Sequence, residues 1–165
     1  MGIKTDSRRQ KRISKRQENQ TAADLGGRTQ ANSGATRLGG GADVRVIGNA
    51  RIECKYTEKS FYVLTYADLE KLRTQAIKTL EEPIFQIAFK NRQGRFDRYV
   101  VIPLYGALDD KFEILCAKGD SVRIHQSYVQ ANLGGARHRI KFGKHVREFE
   151  IITWNEFLER RTANA

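Results

Sequence analysis

Cysteine and histidine are scarce in this 165-residue chain, which has two of the former and three of the latter. Cys54 and Cys116 cannot build a metal-binding framework, and a reduced compartment is the simpler expectation for them. His125, His138 and His145 lack the spacing of a zinc site, so no metal is assigned to them. No run approaches the roughly 20 apolar residues of a membrane-spanning helix, and no apolar stretch follows the charged N-terminus as a secretory signal requires. These absences predict a soluble, unsecreted protein. There is no G-x-x-x-x-G-K-[S/T] arrangement, which disfavours a nucleotide-binding P-loop, and there is no internal repeat. Acidic residues are the other shortage. Nineteen Asp and Glu face 30 Lys and Arg, leaving a net charge of +11 and a pI near 9.9. A field of that sign favours a polyanionic partner, nucleic acid first and an acidic membrane surface second.

What is present fits one domain with a real core, at 39% hydrophobic content. The positive charge is concentrated at the start. Lys4, Arg8, Arg9, Lys11, Arg12, Lys15 and Arg16 stand against Asp6 alone in the first 16 residues. This predicts a basic arm over residues 1–7 leading into a helix from about Ser7 to Leu25, capped by Asp6 or Ser7 and closed by Gly26-Gly27. On that helix Ser14, Glu18, Thr21, Ala22 and Leu25 share one stripe, so Glu18 is the helix's one acid on its packing face. The competing reading is a solvated Glu18 beside Lys15 or Arg16.

The most informative stretch is Gly41 to Lys55, where a Gly48-Asn49 turn signal separates two short apolar-alternating runs and predicts a β-hairpin. Period-2 alternation puts Glu53 and Lys55 on one face of the second strand and Ile52 and Cys54 on the other. A two-residue turn at Gly48-Asn49 would pair Val44 with Glu53 and send Asp43 to the wrong face. A three-residue loop centred on Gly48 pairs Asp43 with Glu53 instead, and the functional reading requires that loop or a bulge. Two carboxylates and an ammonium then sit together. Hard oxygen ligands of this kind suit Mg²⁺, with water and substrate phosphate completing its octahedron, which is the chemistry of phosphodiester hydrolysis. Otherwise the group is a cross-strand salt bridge on a solvated sheet face.

Between helix and hairpin, residues 28–41 are rich in Gly and small polar residues and read as a mobile loop beside the acids. Ser33 and the amides near Gly34 could hydrogen-bond a phosphate oxygen, with Arg28 and Arg37 supplying charge. A plain linker is the alternative.

A Glu on the first helix, a Ser-Gly loop, an Asp and then Glu-x-Lys, in this order and at close to these spacings, resembles the PD-(D/E)xK nuclease superfamily. Within it the pattern is similar to archaeal-type Holliday junction resolvases and their phage relatives. The motif runs Glu18, Ser33, Asp43, Glu53-Cys54-Lys55, with Leu25-Gly26-Gly27-Arg28 ahead of Ser33-Gly34 also fitting, and the resemblance covers roughly residues 8 to 90. Ala42 stands where the superfamily often has Pro. The resemblance implies an α/β, restriction-endonuclease-like core, a central mixed sheet flanked by helices. It implies that Asp43, Glu53 and the Cys54 carbonyl bind Mg²⁺ or Mn²⁺, with Glu18 contacting the metal directly or through water. Lys55 would orient or activate the attacking water and neutralise transition-state charge. The implied activity is paired cleavage of four-way DNA by a homodimer, in the cytoplasm of a prokaryotic cell or phage-infected host, with no membrane partner. The alternatives are a superfamily member acting on other DNA (restriction-like, repair or single-strand), a fold kept only for structure-specific binding, or a basic packaging or ribosome-associated protein.

The remainder, within one nuclease domain over residues 8–165, predicts a scaffold. Thr65 to Asp68 forms a capping box, and Leu69, Leu72, Ala76 and Leu80 follow at helical spacing, predicting a helix from about Tyr66 to Glu81 ended by Pro83, with Leu69 and Leu72 in the core. Ile84 to Phe89 and Arg98 to Leu104 predict strands extending the hairpin's sheet. From about residue 105 a basic, β-rich extension follows, with strands over Ser121–Ile124, Arg139–Phe142 and Arg147–Ile152, and a second capping box, Thr153 to Glu156, opens a final helix. Ile140 and Phe142 alternate with Arg139 and Lys141, so one face is buried and the other basic. With Arg137, His138, Lys144, His145 and Arg147 nearby, this predicts a second phosphate-tracking surface, the alternative being a charge-protected edge strand. The expected DNA contacts are Arg8, Arg9, Lys11, Arg12, Arg28, Arg37, Arg139 and Lys141.

Overall fold

The hairpin sets the architecture. The computed structural model describes residues 3–30, 42–104, 113–116, 118–131, 137–142 and 145–163. Strands β2 (Val44–Val46) and β3 (Ala50–Thr57) are antiparallel, with Val44 opposite Ile52, Arg45 opposite Arg51 and Val46 opposite Ala50. Ile47, Gly48 and Asn49 are left as a three-residue loop centred on Gly48, which sits at φ +72°, a conformation that favours glycine. The longer loop is therefore the one formed, and its register carries Asp43 to the position opposite Glu53. Both dipoles at the loop's neck are held. Asn49 donates to the Val46 carbonyl at 3.0 Å, and Gly48 N donates to the Glu81 carboxylate at 3.2 Å.

Upstream, α1 (Ile3–Leu25) begins at Ile3 rather than Ser7, since nothing after Gly2 breaks a helix there. Its packing stripe is the expected one. Thr21 and Ala22 are buried, and Ser14, Glu18 and Leu25 are half-buried. Gly27 N donates to the Ala22 carbonyl at 2.8 Å, the bond that closes a glycine-terminated helix. The chain then turns directly into β1 (Arg28–Thr29), which pairs with β2, so the segment expected as loop from Arg28 onward opens with a short strand. A Cβ at Gly27 would lie 2.9 Å from the Arg45 backbone oxygen. Gly27→Ala should therefore push helix and strand apart and lower unfolding free energy by about 1–3 kcal/mol, read from urea denaturation at unchanged m-value. No loss of stability would show that the junction relaxes freely.

Strand β4 (Phe61–Thr65) and helix α2 (Tyr66–Ile77) cross over to β5 (Glu82–Lys90), which runs parallel to β3. Thr65 caps α2, accepting from Asp68 N at 3.1 Å. The helix stops at Ile77, short of the expected Glu81. Leu80 takes φ +54°, and the Glu81 side chain leaves the helical path to reach Arg45 and Arg51 at 2.7 and 2.6 Å. Strand β6 (Phe96–Pro103) returns antiparallel to β5, as expected of these β-rich runs.

The later chain holds β7 (Glu113–Cys116), β8 (Ser121–His125), α3 (Gln126–Ala131), β9 (Arg137–Phe142), β10 (His145–Thr153) and α4 (Trp154–Ala163). The main sheet has eight strands in the order β1-β2-β3-β5-β6-β10-β9-β7, mixed because β3/β5 and β9/β7 are parallel. Thus β9 is an interior strand and not an edge. The expected strand at Ser121 forms, but as β8 it pairs with β4 in a separate two-stranded ribbon. Alternation along β5 divides the core. Phe85, Ile87 and Phe89 pack with Leu64, Leu69 and Leu72 under α2 and the ribbon, whereas Ile84 packs with Ala22, Ile52, Cys54, Trp154 and Phe157 under α1 and α4. The protein is thus an α/β fold whose mixed sheet is flanked by helices. Among the described residues no helix is long and apolar enough to cross a membrane.

Candidate active site

Strand β2 pairs with β3 only as far as Val44 and Ile52, so beyond that point β3 continues without a β2 partner. Here Asp43 takes over from the missing strand. Its Oδ2 accepts from the Cys54 backbone N–H at 2.8 Å, and the residue is only 8% exposed. In β3, Glu53 and Lys55 lie opposite Phe85 and Ile87 of β5, on the face covered by α2. The Lys55 Nζ to Glu53 Oε1 distance is 2.6 Å. Ile52 and Cys54 point to the other face. From α1, half-buried Glu18 reaches the same edge, with Lys15 Nζ 3.6 Å from its Oε2. Glu18 is half-buried rather than solvated, and it still meets Lys15.

The electrostatics show that these acids share one field. Burial, followed by the charge of Asp43, raises the pKa of Glu18. The same two causes, in the same order, raise that of Glu53 against the opposing pull of Lys55. Burial works against the Lys55 charge, but the hydrogen bond and charge of Glu53, with Asp43, outweigh it and raise its pKa. Burial also raises the Cys54 thiol strongly, so this cysteine is an un-ionised core side chain whose contribution to the edge is its backbone. The charge of Asp43 disfavours ionisation of both Glu18 and Glu53, a strain that a hard divalent cation would relieve. Among the described residues, no three Asp, Glu, His or Cys side chains form a group that could hold a metal ion as they stand.

Glu18 makes this strain testable. Its folded-state pKa lies above the unfolded value, so its favourable contribution is complete only below the unfolded carboxyl range and is lost as pH rises through the folded value. At pH 7 without divalent cations, Glu18→Gln should raise Tm by about 2–4 °C, and at pH 3 the gain should vanish. A lower Tm at pH 7 would show Glu18 to be a stabilising ion-pair partner of Lys15.

Sequence patterning missed the support beneath the site. Gln17 Nε2 donates to the Lys55 carbonyl at 3.1 Å and to Gln86 Oε1 at 2.8 Å, and Thr21 Oγ1 donates to the same oxygen at 3.1 Å. Gln86 is fully buried in the middle of β5, a polar residue in an apolar run that could have signalled a partner. These bonds tie α1, and with it Glu18, to β3. Tyr62 of β4, half-buried against Phe85, feels the charges of Lys55 and Glu53 and is pushed up by burial to about 12, and Lys71 of α2 adds its charge to that of Lys55 at Glu53.

The expected phosphate contacts separate into groups. Arg8, Lys11 and Arg12 are exposed on α1, Arg9 pairs with Glu58 at 2.9 Å, and Arg28 is exposed in β1. Ser33, Gly34 and Arg37 lie outside the described residues. In β9, Ile140 and Phe142 are fully buried as the alternation requires, while the side chains of Arg139 and Lys141 lie outside what the structure describes. Arg147 is committed elsewhere, donating to Glu70 and to the Tyr66 hydroxyl, each at 2.9 Å, and His145 stacks on Tyr66 with ring centroids 4.5 Å apart.

Compared with known proteins, the sequence matches no protein-family model and no curated protein.

Proposed function

We propose that this chain is a metal-dependent DNA endonuclease with a restriction-endonuclease-like core, acting as a homodimer on branched DNA and resolving four-way junctions by paired phosphodiester hydrolysis. The observation that carries the reading is the hairpin register, which sets Asp43 opposite Glu53 at the open side of β3, beside Lys55 and facing Glu18. Two of the acids each meet a base, Glu53 with Lys55 and Glu18 with Lys15, and the charge of Asp43 acts on both acids, which a set of simple salt bridges does not require.

Asp43, Glu53, the Cys54 carbonyl and Glu18 would hold Mg²⁺, with Mn²⁺ able to substitute. Bound there, the ion would supply charge neutralisation at the scissile phosphate and a more acidic water. The chain's own groups do the rest. Asp43, fixed by the Cys54 N–H, holds one carboxylate oxygen in place. Lys55, kept protonated by Glu53, presents a cation to the non-bridging phosphate oxygens and to the attacking water as charge develops. Gln17 and Gln86 fix the backbone that carries Lys55. The exposed bases of α1 attract the polyanion. Resolving a junction takes two symmetric cuts and each chain offers one site, so two copies about a two-fold axis are required.

Labelled four-way, flap and linear DNA incubated with the protein in Mg²⁺ and in EDTA tests the class of activity. Cleavage in Mg²⁺ that EDTA abolishes is expected. Binding without cleavage in either Mg²⁺ or Mn²⁺ would leave a nucleic-acid-binding protein in place of a nuclease.

A further inference from the structure

We propose a second nucleic-acid backbone site, centred on Arg16 and Arg95, in the groove between α1 and the β5–β6 turn. The groove encloses about 420 Å³, with Ile13 and Phe96 supplying apolar wall and Gln17 and Gln20 polar edge. It lies along the opposite long edge of α1 from Glu18. That helix meets Asp43 and Lys55 on one side and the turn after β5 on the other.

Charge identifies the occupant. Arg16 and Arg95 are exposed, and neither has a carboxylate within ion-pair distance among the described residues. The acids nearby are already spent. Asp24 accepts from Arg98, Gln20 and the Trp154 indole, each at 2.8 Å, and Asp97 accepts from Asn91 at 3.0 Å. Arg12 continues the same helical ridge one turn before Arg16 and also has no acidic partner among the described residues. Two guanidinium groups lining one groove, with no ion-pair partner among the described residues, suit phosphodiester oxygens.

The site is also built rather than fluid. Asn91 Oδ1 accepts from the backbone N–H of both Gln93 and Arg95, at 3.0 and 2.9 Å, and Asn91 N donates to the Arg95 carbonyl at 2.7 Å. The turn therefore presents Arg95 from a fixed backbone, which lowers the ordering cost of binding. On the other wall, Gln17 lines the groove and also holds the Lys55 carbonyl, so the groove and the candidate active site share one residue of α1. A linear duplex bound at the acids would pass on one side of α1. A second arm of a branched molecule would fill the other side.

From the proposed function this inference takes only that the partner is nucleic acid. The test measures binding of fluorescein-labelled four-way DNA and linear duplex in EDTA across a salt series, comparing the wild type, the double variant Arg16→Ala/Arg95→Ala, and Lys78→Ala as an exposed basic control at the end of α2. Circular dichroism and Tm confirm folding, and Arg16→Gln/Arg95→Gln serves as a second variant that keeps side-chain bulk. For four-way DNA the slope of log affinity against log salt should become shallower by about 0.9 for each lost contact, close to 1.8 for the double variant, with a smaller change on linear duplex and none for Lys78→Ala. An unchanged slope on four-way DNA, or an equal change on both DNAs, would overturn the inference while leaving Mg²⁺-dependent cleavage to stand or fall by itself. Absence of DNA binding by the wild type would overturn both. A slope loss in a protein that never cleaves would sustain the groove and remove the nuclease.

Discussion

Asp43→Asn and Glu53→Gln should each lower the rate of Mg²⁺-dependent DNA cleavage by at least about a hundredfold, the scale on which removal of one preorganised transition-state group is felt. The two substitutions keep shape and a hydrogen-bond acceptor. In Asp43→Asn the side-chain amide oxygen can still accept from the Cys54 N–H, so the end of β2 stays anchored. Binding of DNA in EDTA should be retained or tightened, because one negative charge facing phosphate is gone. Single-turnover cleavage at saturating protein separates the two effects: a loss seen there is a loss of chemistry. Cleavage by either variant at near the wild-type rate would remove Asp43 and Glu53 from the reaction.

The largest expected effect on folding lies outside the site, at Glu81. Its carboxylate is buried and accepts from Arg45, Arg51, Thr79 and the Gly48 N–H at 2.6 to 3.2 Å. Although burial opposes ionisation, these partners outweigh it and hold its pKa down at about 2. Glu81→Gln removes a buried charge that faces two guanidinium groups, one of them on buried Arg51, and should cost about 3–5 kcal/mol of unfolding free energy. Because the folded pKa is below the unfolded one, the stabilisation is present above the ordinary glutamate range and is lost as pH falls toward 2. Urea midpoints of the wild type should therefore drop between about pH 4.5 and 2, and the variant should lack this part of the acid response. Equal midpoints at pH 7 would show that the triad contributes nothing net. Since the same triad grips the hairpin loop, its loss should also loosen the register that places Asp43.

Part of the candidate site's geometry is legible in residue spacing because its determinants are local, although spacing alone leaves the two- and three-residue loops at Gly48 both open. The three-residue loop at Gly48 fixes which residue faces Glu53, and a helical stripe of small residues fixes where Glu18 points. The β5–β6 pair and the final helix at Trp154 were legible for the same reason, since alternation and a capping Thr153 depend on near neighbours. The rest depends on contacts distant in sequence. Nothing near Ser121 shows that β8 would leave the main sheet to pair with β4, far back in the chain. The early end of α2 follows from Glu81 being drawn to arginines 30 and 36 positions away, and helical periodicity cannot register that pull. Gln86 is polar in an apolar strand, and its partners Gln17 and Thr21 lie on α1, far back in the chain. The basic third of the chain was legible as charge but not as placement: Arg147 proved to be packed onto Tyr66 and Glu70.

The most direct measurement is cleavage of a four-way DNA junction assembled from four strands, each end-labelled in turn, by the wild-type protein in Mg²⁺. Nicks at symmetry-related positions in two opposing strands, well ahead of any cutting of linear duplex of equal length and abolished by Asp43→Asn, are the predicted result. Equal cutting of linear duplex or single strands would remove junction resolution while leaving a nuclease. No cleavage in either Mg²⁺ or Mn²⁺ would contradict the reading of Glu18, Asp43, Glu53 and Lys55 as a catalytic group.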